Sequence, residues 1–134
     1  MESTLVIIKP DAVARGLMGE IIARFEAARF EIVRMRFERP SEELMRRFYA
    51  EHEGKSHFAR LLAFMTSGPS CFIHMRREGA IHRARILVGP TDPAEAAPGT
   101  IRGDFGENLP RNCVHASDSA SAAEREIAII FEHR

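Results

Sequence analysis

Thr4-Leu5-Val6-Ile7-Ile8 is a β-prone run near the start of a chain of 134 residues. A short run that is apolar almost throughout is typical of a central strand whose two faces are both buried. Lys9-Pro10-Asp11 follows directly, and proline cannot continue the hydrogen-bonded ladder of a sheet. The sequence therefore predicts one central strand that stops at Lys9.

Strand-like and helix-like patterns alternate along the rest of the chain. Helical spacing of apolar side chains predicts helices from Gly19, after the capping residue Ser41, after the break at Gly54, after Gly79 and over 121–131. Alternating or continuous apolar runs predict further strands at 30–37, 71–75 and 113–115. In the last two helices we expect these residues to face the core: Ile81, Ala84, Ala122, Ile127 and Ile130.

The segment from Gly89 to Arg111 has a different character. Four prolines and three further glycines follow Gly89 in it, and it has no hydrophobic periodicity. A loop this long without regular structure is unusual in a compact domain, and such loops are generally functional or disordered. We therefore expect a long structureless loop here that is itself functional or disordered.

The predicted elements follow the order strand, helix, strand, helices, strand, helix, strand. This is the order of a ferredoxin-like α/β sandwich, in which helices cover an antiparallel four-stranded sheet. A length of 134 residues with 45% hydrophobic side chains fits one globular domain over residues 1–134, with one core. No internal repeat or low-complexity tract divides the sequence.

Composition and charge exclude several classes of function. The formal net charge is zero, so nucleic-acid binding would need a local basic patch, and no nucleic-acid partner is expected. Cys71 and Cys113 are far apart and outside any CxxC pattern, which argues against a disulfide framework and a zinc ribbon. Without a signal peptide or an apolar run of membrane-spanning length, we expect a cytoplasmic protein with no membrane partner.

The stretch Asn112-Cys113-Val114-His115-Ala116-Ser117-Asp118-Ser119 places a histidine among small and hydrogen-bonding side chains. A neutral imidazole is a usable nucleophile. Arg102 and Arg111 lie just upstream of His115 and would attract a phosphate to it. The stretch therefore predicts either phosphoryl transfer through His115 or a small-ligand binding module that uses the same basic loop.

Other chemistries have weaker support. The sequence has neither GxxxxGK[ST] nor a GxGxxG after a strand, so two common phosphate-binding loops are missing. His52 and His57 are five residues apart with a glycine between them. They miss the HExxH spacing that puts two zinc ligands on one helical face. Cys113 and His115 would share one face of a strand, which allows a Cys–His nucleophile, but no separate base-orienting signature accompanies the pair.

Several spaced motifs agree with one known family. In chain order they are Lys9-Pro10-Asp11, Tyr49, Phe58, Gly89-Pro90-Thr91-Asp92-Pro93, Pro98-Gly99-Thr100-Ile101-Arg102-Gly103-Asp104-Phe105 and the 112–119 stretch. Together they resemble the nucleoside diphosphate kinase family, and the resemblance runs from Thr4 to Phe131. It implies a ferredoxin-like core and an active-site loop over about 89–112. It also implies ping-pong transfer of the terminal phosphoryl group of a nucleoside triphosphate to a nucleoside diphosphate.

The resemblance implies a role for each matching residue. His115 would be the nucleophile and phosphate carrier, with Tyr49 near its imidazole and with Ser117 and Glu126 positioning it. Lys9 would bind the ribose hydroxyl and the terminal phosphate of the nucleotide, and Asn112 would bind the sugar. The base would stack on Phe58. The phosphates would be bound by Arg85, Thr91 and Arg102. Stacking on a ring tolerates any base, so little base specificity is expected. The remaining histidines are interpreted as structural or surface residues: His52, His57, His74, His82 and His133.

The resemblance further implies substrates, a cofactor and an assembly. The substrates would be nucleoside di- and triphosphates such as ATP and GTP. The cofactor would be Mg²⁺, which would be held mainly by nucleotide phosphates and not by a protein metal site. A homo-oligomer is also implied. The sequence departs from the commonest family pattern at Pro110 and at Ala116, where a left-handed backbone would be strained. The alternative is a catalytically reduced binding or regulatory relative.

Overall fold

Four strands pair into one antiparallel sheet, in the order β2-β3-β1-β4, in the computed structural model, which describes residues 1–132. The strands span Glu2–Ile8 (β1), Glu31–Glu38 (β2), Ser70–Arg77 (β3) and Val114–Ala116 (β4). The predicted central strand is confirmed, because β1 lies between β3 and β4 and its residues from Leu5 onward are fully buried. The ferredoxin-like α/β fold is confirmed with it.

Helices connect the strands and cover the sheet. They span Pro10–Ala14 (α1), Met18–Ala27 (α2), Glu42–Phe48 (α3), Phe58–Met65 (α4), Ala80–Val88 (α5), Ile101–Phe105 (α6) and Ala120–Ile127 (α7). Short 3-10 turns lie at Ala50–His52 and Pro93–Glu95, and a π-helical turn lies at Ala128–Glu132. Ser41 caps α3 as predicted, since its hydroxyl accepts a hydrogen bond from the Leu44 amide at 3.0 Å. Within residues 1–132, no helix has the length and apolar character needed to cross a bilayer.

Helix α1 is an element that the sequence patterns do not predict. It begins at Pro10, and proline is favoured at the first position of a helix because the amide hydrogen it lacks would have no partner there. Pro10, which prevents β1 from continuing, is therefore also the first residue of a helix. Lys9 is held between the two elements, and its amide donates to the Cys113 carbonyl at 2.9 Å.

Alternation of side chains along β1 divides the core into two clusters, one on each face of the sheet. Val6 and Ile8 belong to the cluster under α2 and α5, which we call the α2/α5 face. Leu5 and Ile7 belong to the cluster under α3, α4 and α7, which we call the α3/α4/α7 face. Cross-strand pairing places His115 opposite Ile7, so the imidazole lies on the α3/α4/α7 face.

The inward faces of α5 and α7 differ slightly from the prediction. Ala84 of α5 faces the core as predicted, but Ile81 is only half-buried. In α7 the buried alanine is Ala123, and Ala122 is half-buried. Two further predicted inward residues are buried: Ile127 and Ile130. Successive helical residues point about 100° apart, so a residue at the border of a face is the one that periodicity places least well.

The segment from Gly89 to Arg111 contains a 3-10 turn and a short helix, which corrects the prediction of a structureless loop. Helix α6 lies inside it, capped by the Thr100 hydroxyl, which accepts a backbone hydrogen bond at 3.0 Å. Ile101 is fully buried, and Asp104 forms a salt bridge of 2.7 Å with Arg24 of α2. One apolar anchor and one long-range ion pair produce no periodic signal, which is why the sequence does not predict this helix.

Cys113 adopts a left-handed backbone conformation, with φ of 73°. Its side chain is buried in the cluster on the α2/α5 face, opposite to the face that carries His115. The shared face that a Cys–His nucleophile would need is therefore not formed, and burial raises the pKa of the Cys113 thiol to about 11. Ala116 lies in β4, and among residues 1–132 only Arg29 and Cys113 are non-glycine residues with positive φ. The strain expected at Ala116 does not exist.

Candidate active site

A cavity of about 890 Å³ is lined by the α3–α4 segment, α5, the 89–111 segment and β4. Eight of the ten predicted site residues line it: Lys9, Tyr49, Arg85, Thr91, Arg102, Asn112, His115 and Glu126. Ser117 is fully buried beneath its wall and contacts Glu126. Phe58 does not line the cavity. The sequence motifs therefore converge on one site, with a single exception.

His115 presents its imidazole to the cavity from β4, with 22% of the side-chain surface exposed. Its Nε2 lies 2.9 Å from Oε1 of Glu126. Because a carboxylate only accepts hydrogen bonds, Nε2 carries the hydrogen, and in a neutral ring the lone pair is then on Nδ1. Phe48 packs edge-on against the ring at a centroid distance of 5.6 Å. The ring is thus fixed in orientation and tautomer.

Glu126 is the residue that connects His115 to the core. The side chain is on α7, the residue is 5% exposed, and Oε1 also accepts a hydrogen bond of 2.7 Å from the Ser117 hydroxyl. Ser117 in turn accepts from the Leu5 amide of β1 at 3.1 Å. A buried carboxylate with two donors is well satisfied. The network therefore joins α7, β1 and β4 behind the imidazole.

Tyr49 lies at the end of α3 and is 8% exposed. Burial, and to a lesser extent the negative charge of Glu126, raise the pKa of its hydroxyl well above the ordinary value. The phenol therefore stays protonated at neutral pH and is a hydrogen-bond donor beside the site.

Lys9 and Asn112 form a polar chain along the cavity wall. The Lys9 ammonium donates to Oδ1 of Asn112 at 2.9 Å, and Nδ2 of Asn112 donates to the Thr91 carbonyl at 3.0 Å. Burial, reinforced by the Arg102 guanidinium, lowers the pKa of Lys9 to about 8. Lys9 is therefore mostly charged at pH 7 but close to its titration range.

Arg102 is a buried cation, 5% exposed, that α6 places at the cavity. It donates to the Gly89 carbonyl at 3.0 Å and to the Val114 carbonyl at 2.7 Å, while its Nε has no hydrogen-bond partner within residues 1–132. Burial, with a smaller effect of Arg85, lowers the pKa of Arg102 to about 10, which leaves it charged at neutral pH. The exposed Arg85 donates to the Ala116 carbonyl at 3.3 Å, so two guanidiniums meet beside β4.

Phe58 is part of the core, which contradicts the expectation that it stacks on a base. It is 9% exposed within the cluster on the α3/α4/α7 face, and the Arg46 guanidinium lies 5.7 Å from its ring centroid. Helix α4 begins at Phe58 and turns this side chain inward, whereas His57, one residue earlier, lines the cavity. His52 and His57, interpreted from the sequence as structural or surface residues, line the cavity as well.

The other histidines differ in their surroundings. His74 is half-buried, with Nε2 2.8 Å from the Ser3 hydroxyl and Nδ1 3.2 Å from the Arg34 guanidinium, which agrees with a structural role. His82 is exposed on α5. His133 lies outside the described residues.

Carboxylates are few in the cavity. Among residues 1–132 no group of three or more His, Cys, Asp or Glu side chains is arranged to hold a metal ion. Three carboxylates line the cavity, those of Glu51, Asp118 and Glu126, and the last already accepts from His115 and Ser117. A divalent cation here would take most of its oxygen ligands from a bound ligand, a donor set that a polyphosphate supplies.

The cavity also has lining residues that the sequence analysis did not select. They are Phe48, Glu51, His52, His57, Arg60, Leu61, Phe64, Leu109, Pro110, Ala116, Asp118 and Arg125. Asp118 belongs to the 112–119 stretch, and Leu109 and Pro110 end the 89–111 segment, so proximity to these motifs could have indicated them. The residues on α4 and just before it carry no such signal.

On a ferredoxin-like sheet, an imidazole fixed by a carboxylate beside buried cations defines a phosphotransferase, since it combines a nucleophile with fixed positive charge for a phosphate. The chain matches the family model described as nucleoside diphosphate kinase over residues 2–134. The chain belongs to the nucleoside diphosphate kinase family. It is an enzyme with that family's activity, transfer of the terminal phosphoryl group of a nucleoside triphosphate to a nucleoside diphosphate, and nucleotides are its substrates. The family's reaction uses a divalent cation.

Individual nucleoside diphosphate kinases are similar to this chain in sequence and in structure. A nucleoside diphosphate kinase of Chloroflexus aurantiacus is 50% identical over 133 residues, which cover 98% of this chain and 88% of the relative. One of Methanocaldococcus jannaschii is 50% identical over 131 residues, covering 98% of this chain and 94% of the relative. The structure of a halophilic nucleoside diphosphate kinase from Halobacterium salinarum in complex with CDP has a TM-score of 0.95 and 46% identity, covering 98% of this chain and 88% of that one.

Replacement of Glu126 by glutamine should slow phosphoryl transfer. The amide keeps the shape but removes the charge that fixes the imidazole, so kcat should fall about 10- to 100-fold with a nearly unchanged KM. Steady-state kinetics measure both constants. Glu124→Gln, on the exposed side of the same helix, is the matched control and should behave as wild type. A Glu126→Gln enzyme with an unchanged kcat would show that this hydrogen bond is structural only.

The alkaline side of the pH profile should report Lys9. In the free enzyme the ammonium is charged below a pKa of about 8 and neutral above it, so phosphate binding weakens as pH rises. We expect kcat/KM, which reports ionisation of the free enzyme, to fall as pH rises through about 8. Lys9→Arg stays charged and should shift this fall to higher pH. If the variant and wild type share the same alkaline limb, another group causes it.

Proposed function

We propose that His115 carries the phosphoryl group between two nucleotides in a ping-pong reaction. The observation that carries the proposal is the hydrogen bond from Nε2 to Glu126, which leaves the lone pair on Nδ1 of a side chain that lines the cavity. In the first half-reaction Nδ1 attacks the terminal phosphorus of a triphosphate, the bond to the bridging oxygen breaks, and the diphosphate leaves. A second diphosphate then attacks the phosphohistidine and regenerates the neutral ring.

The cations supply the electrostatic part of this mechanism. A migrating phosphoryl group has a loose transition state, so the protein acts by holding and neutralising phosphate oxygens. We assign this task to Lys9, Arg85 and Arg102, together with Thr91. Arg102 is already fixed by two carbonyls, so little reorganisation is needed when the phosphate binds. A guanidinium keeps its charge and can contact two oxygens at once.

The remaining predicted residues are assigned to binding and positioning. Asn112, held between Lys9 and Thr91, is assigned to the sugar, with Lys9 reaching both the ribose hydroxyl and the terminal phosphate. Ser117 and Glu126 position the imidazole through the hydrogen bonds described above. Tyr49 contributes a neutral phenol beside the ring.

The divalent cation is proposed to be Mg²⁺. When bound, Mg²⁺ would neutralise charge on the phosphate oxygens and orient them. Phosphate oxygens would hold it, and Glu51 and Asp118 are the two cavity carboxylates outside the His115 network that would be available to contribute. Tighter protein ligation would need a carboxylate cluster, which residues 1–132 do not form.

The proposal extends to substrates and location. The apolar part of the wall, around Leu61 and Leu109, offers contact with any nucleobase, so we propose ATP, GTP and other nucleotides as substrates with little base preference. The halophilic relative in complex with CDP supports pyrimidine binding as well. We assign the activity to one domain of residues 1–134, with an active-site loop over about 89–112. A cytoplasmic location is proposed, since both cysteines are buried and unpaired.

Incubation with γ-labelled ATP and Mg²⁺ tests the phosphohistidine. We expect acid-labile, base-stable label on the protein, and its transfer to added GDP. His115→Ala should lose labelling yet bind ADP within about tenfold of wild type, because phosphate and base contacts remain. His82→Ala, which alters an exposed histidine on α5, is the control and should label normally. A folded wild-type protein that takes no label would contradict the proposal.

We also propose that the enzyme is a homo-oligomer assembled through β2. This strand is at the edge of the sheet, and its apolar side chains Val33, Met35 and Phe37 are 38%, 45% and 55% exposed. An exposed apolar edge strand is a template for pairing. A second copy related by a two-fold axis would offer the same strand and cover the same side chains.

Light scattering after gel filtration tests the β2 interface. Phe37→Glu should reduce the molar mass of the particle, because it places a charge in the apolar contact. Ile86→Glu changes an apolar residue of α5 that is 60% exposed, and should leave the mass unchanged. A monomeric wild type, or equal dissociation by both variants, would refute assembly through β2.

A further inference from the structure

Two histidines that have no role in the proposed reaction meet on the wall of the cavity. Nδ1 of His52 lies 3.0 Å from Nε2 of His57, and the ring centroids are 5.1 Å apart with an interplanar angle of 72°. Both side chains are half-buried and line the cavity. In a neutral pair, a hydrogen shared between the two nitrogens accounts for this contact. Two imidazole nitrogens that face each other are also a metal-ligating arrangement.

The distance between the two nitrogens is close to the distance found in a zinc site. A tetrahedral ion with Zn–N bonds of about 2.0–2.1 Å holds two ligand nitrogens about 3.3–3.4 Å apart. The observed separation of 3.0 Å is shorter by only a few tenths of an ångström. Both rings keep part of their surface exposed. A small rotation of each ring therefore lets the two lone pairs converge on one ion.

A tight turn of the chain, and not a shared helix face, brings the two rings together. His52 ends the 3-10 turn and His57 precedes α4, while Gly54 between them has a φ of 86° that favours glycine. The Lys55 amide donates to the His52 carbonyl at 3.0 Å and closes the turn. The HExxH spacing describes two ligands on one helix, so it does not apply to this pair. Two ligands on a short closed turn lose little conformational entropy when an ion binds.

The far side of His52 carries the kind of partner that a metal-bound imidazole has. A metal-ligating histidine usually directs its other ring nitrogen at a carboxylate, which fixes the ring and raises its basicity. Nε2 of His52 lies 3.9 Å from Oε1 of Glu51, and Tyr49 packs edge-on against the ring at a centroid distance of 6.0 Å. These two contacts hold His52 with Nδ1 towards His57.

We propose that Nδ1 of His52 and Nε2 of His57 form a binding site for a divalent transition-metal ion, represented by Zn²⁺. Imidazole nitrogen is a preferred ligand of Zn²⁺, Cu²⁺ and Ni²⁺, whereas Mg²⁺ prefers oxygen. The site therefore differs in chemistry from the Mg²⁺ that phosphate oxygens would hold. It consists of protein atoms alone, so it does not rest on the proposed function.

The two imidazoles leave the other coordination positions of the ion open to the cavity. Within the described part of the chain, no third His, Cys, Asp or Glu joins the pair in a group arranged to hold a metal ion. Water or a ligand in the cavity would complete the coordination, as in zinc sites that keep an open position. Since both rings line the cavity, a bound ion would add positive charge to its wall.

Titration of the tag-free protein with Zn²⁺, followed by calorimetry, tests the site. We expect one ion per chain, and binding should persist in a large excess of Mg²⁺. His52→Ala and His57→Phe should each weaken Zn²⁺ binding at least about tenfold, because a single imidazole cannot chelate the ion. His57→Cys should restore binding, since a thiolate is also a zinc ligand. The control His82→Ala removes an exposed histidine of α5 and should bind Zn²⁺ as wild type does.

Electron paramagnetic resonance of bound Cu²⁺ counts the nitrogen ligands directly. The wild-type spectrum should show hyperfine splitting from two imidazole nitrogens, and the His57→Phe spectrum from at most one. His115→Ala should keep the two-nitrogen spectrum, because Nε2 of that ring is bonded to Glu126 and takes no part in the pair. Glu51→Gln should also keep it, but should weaken Zn²⁺ binding about tenfold, as expected for a partner that orients a ligand.

Three results would overturn the proposal. They are a wild type that binds no Zn²⁺, Zn²⁺ binding that neither His52→Ala nor His57→Phe weakens, and displacement of Zn²⁺ by Mg²⁺. Melting temperatures measured with a chelator show whether each variant is folded. Loss of binding in His57→Phe with retention in His57→Cys cannot come from unfolding, because both variants fill the same half-buried position. Labelling of His115 is scored separately, and its failure would contradict the phosphohistidine without affecting the metal site.

Discussion

Burial of the Glu126 carboxylate constrains the geometry of the whole site. A charge removed from water is costly unless donors surround it, and here Ser117 and His115 are those donors. Since Ser117 is also bonded to the Leu5 amide, the carboxylate is satisfied only when α7, β4 and β1 are assembled together. The tautomer of His115 is therefore a property of the fold, established before any substrate arrives.

The opposite wall of the cavity carries two positively charged side chains, Lys9 and Arg102, that are also removed from water. Lys9 and Arg102 are held in a desolvated environment that lowers the pKa of both, so their charged forms are less favourable there than in water. A bound polyphosphate would compensate for this, and the Nε of Arg102 has no hydrogen-bond partner among the described residues. Carboxylate on one side and cations on the other keep the nucleophile and the phosphate site fixed relative to each other.

Much of this arrangement follows from local sequence. A continuous apolar run predicts β1, because a central strand buries both faces, and apolar periodicity predicts most helices, because a helix that buries one face must repeat its apolar positions. The His115 stretch is compact enough to be recognised directly. Long-range contacts, such as the Arg24–Asp104 ion pair that joins α6 to α2, are not visible in this way. The start of α4 is a matter of register, since a shift of one residue decides whether Phe58 or His57 faces the cavity.

The left-handed backbone at Cys113 limits how this position can change during evolution. A glycine would adopt the conformation easily but leave an unfilled space in the core. Valine or isoleucine would fill that space, but branching at Cβ makes positive φ unfavourable. Small unbranched side chains meet both demands at the lowest cost in free energy. A position with no assigned chemical role in the reaction is thus constrained by its backbone conformation and by its burial at the same time.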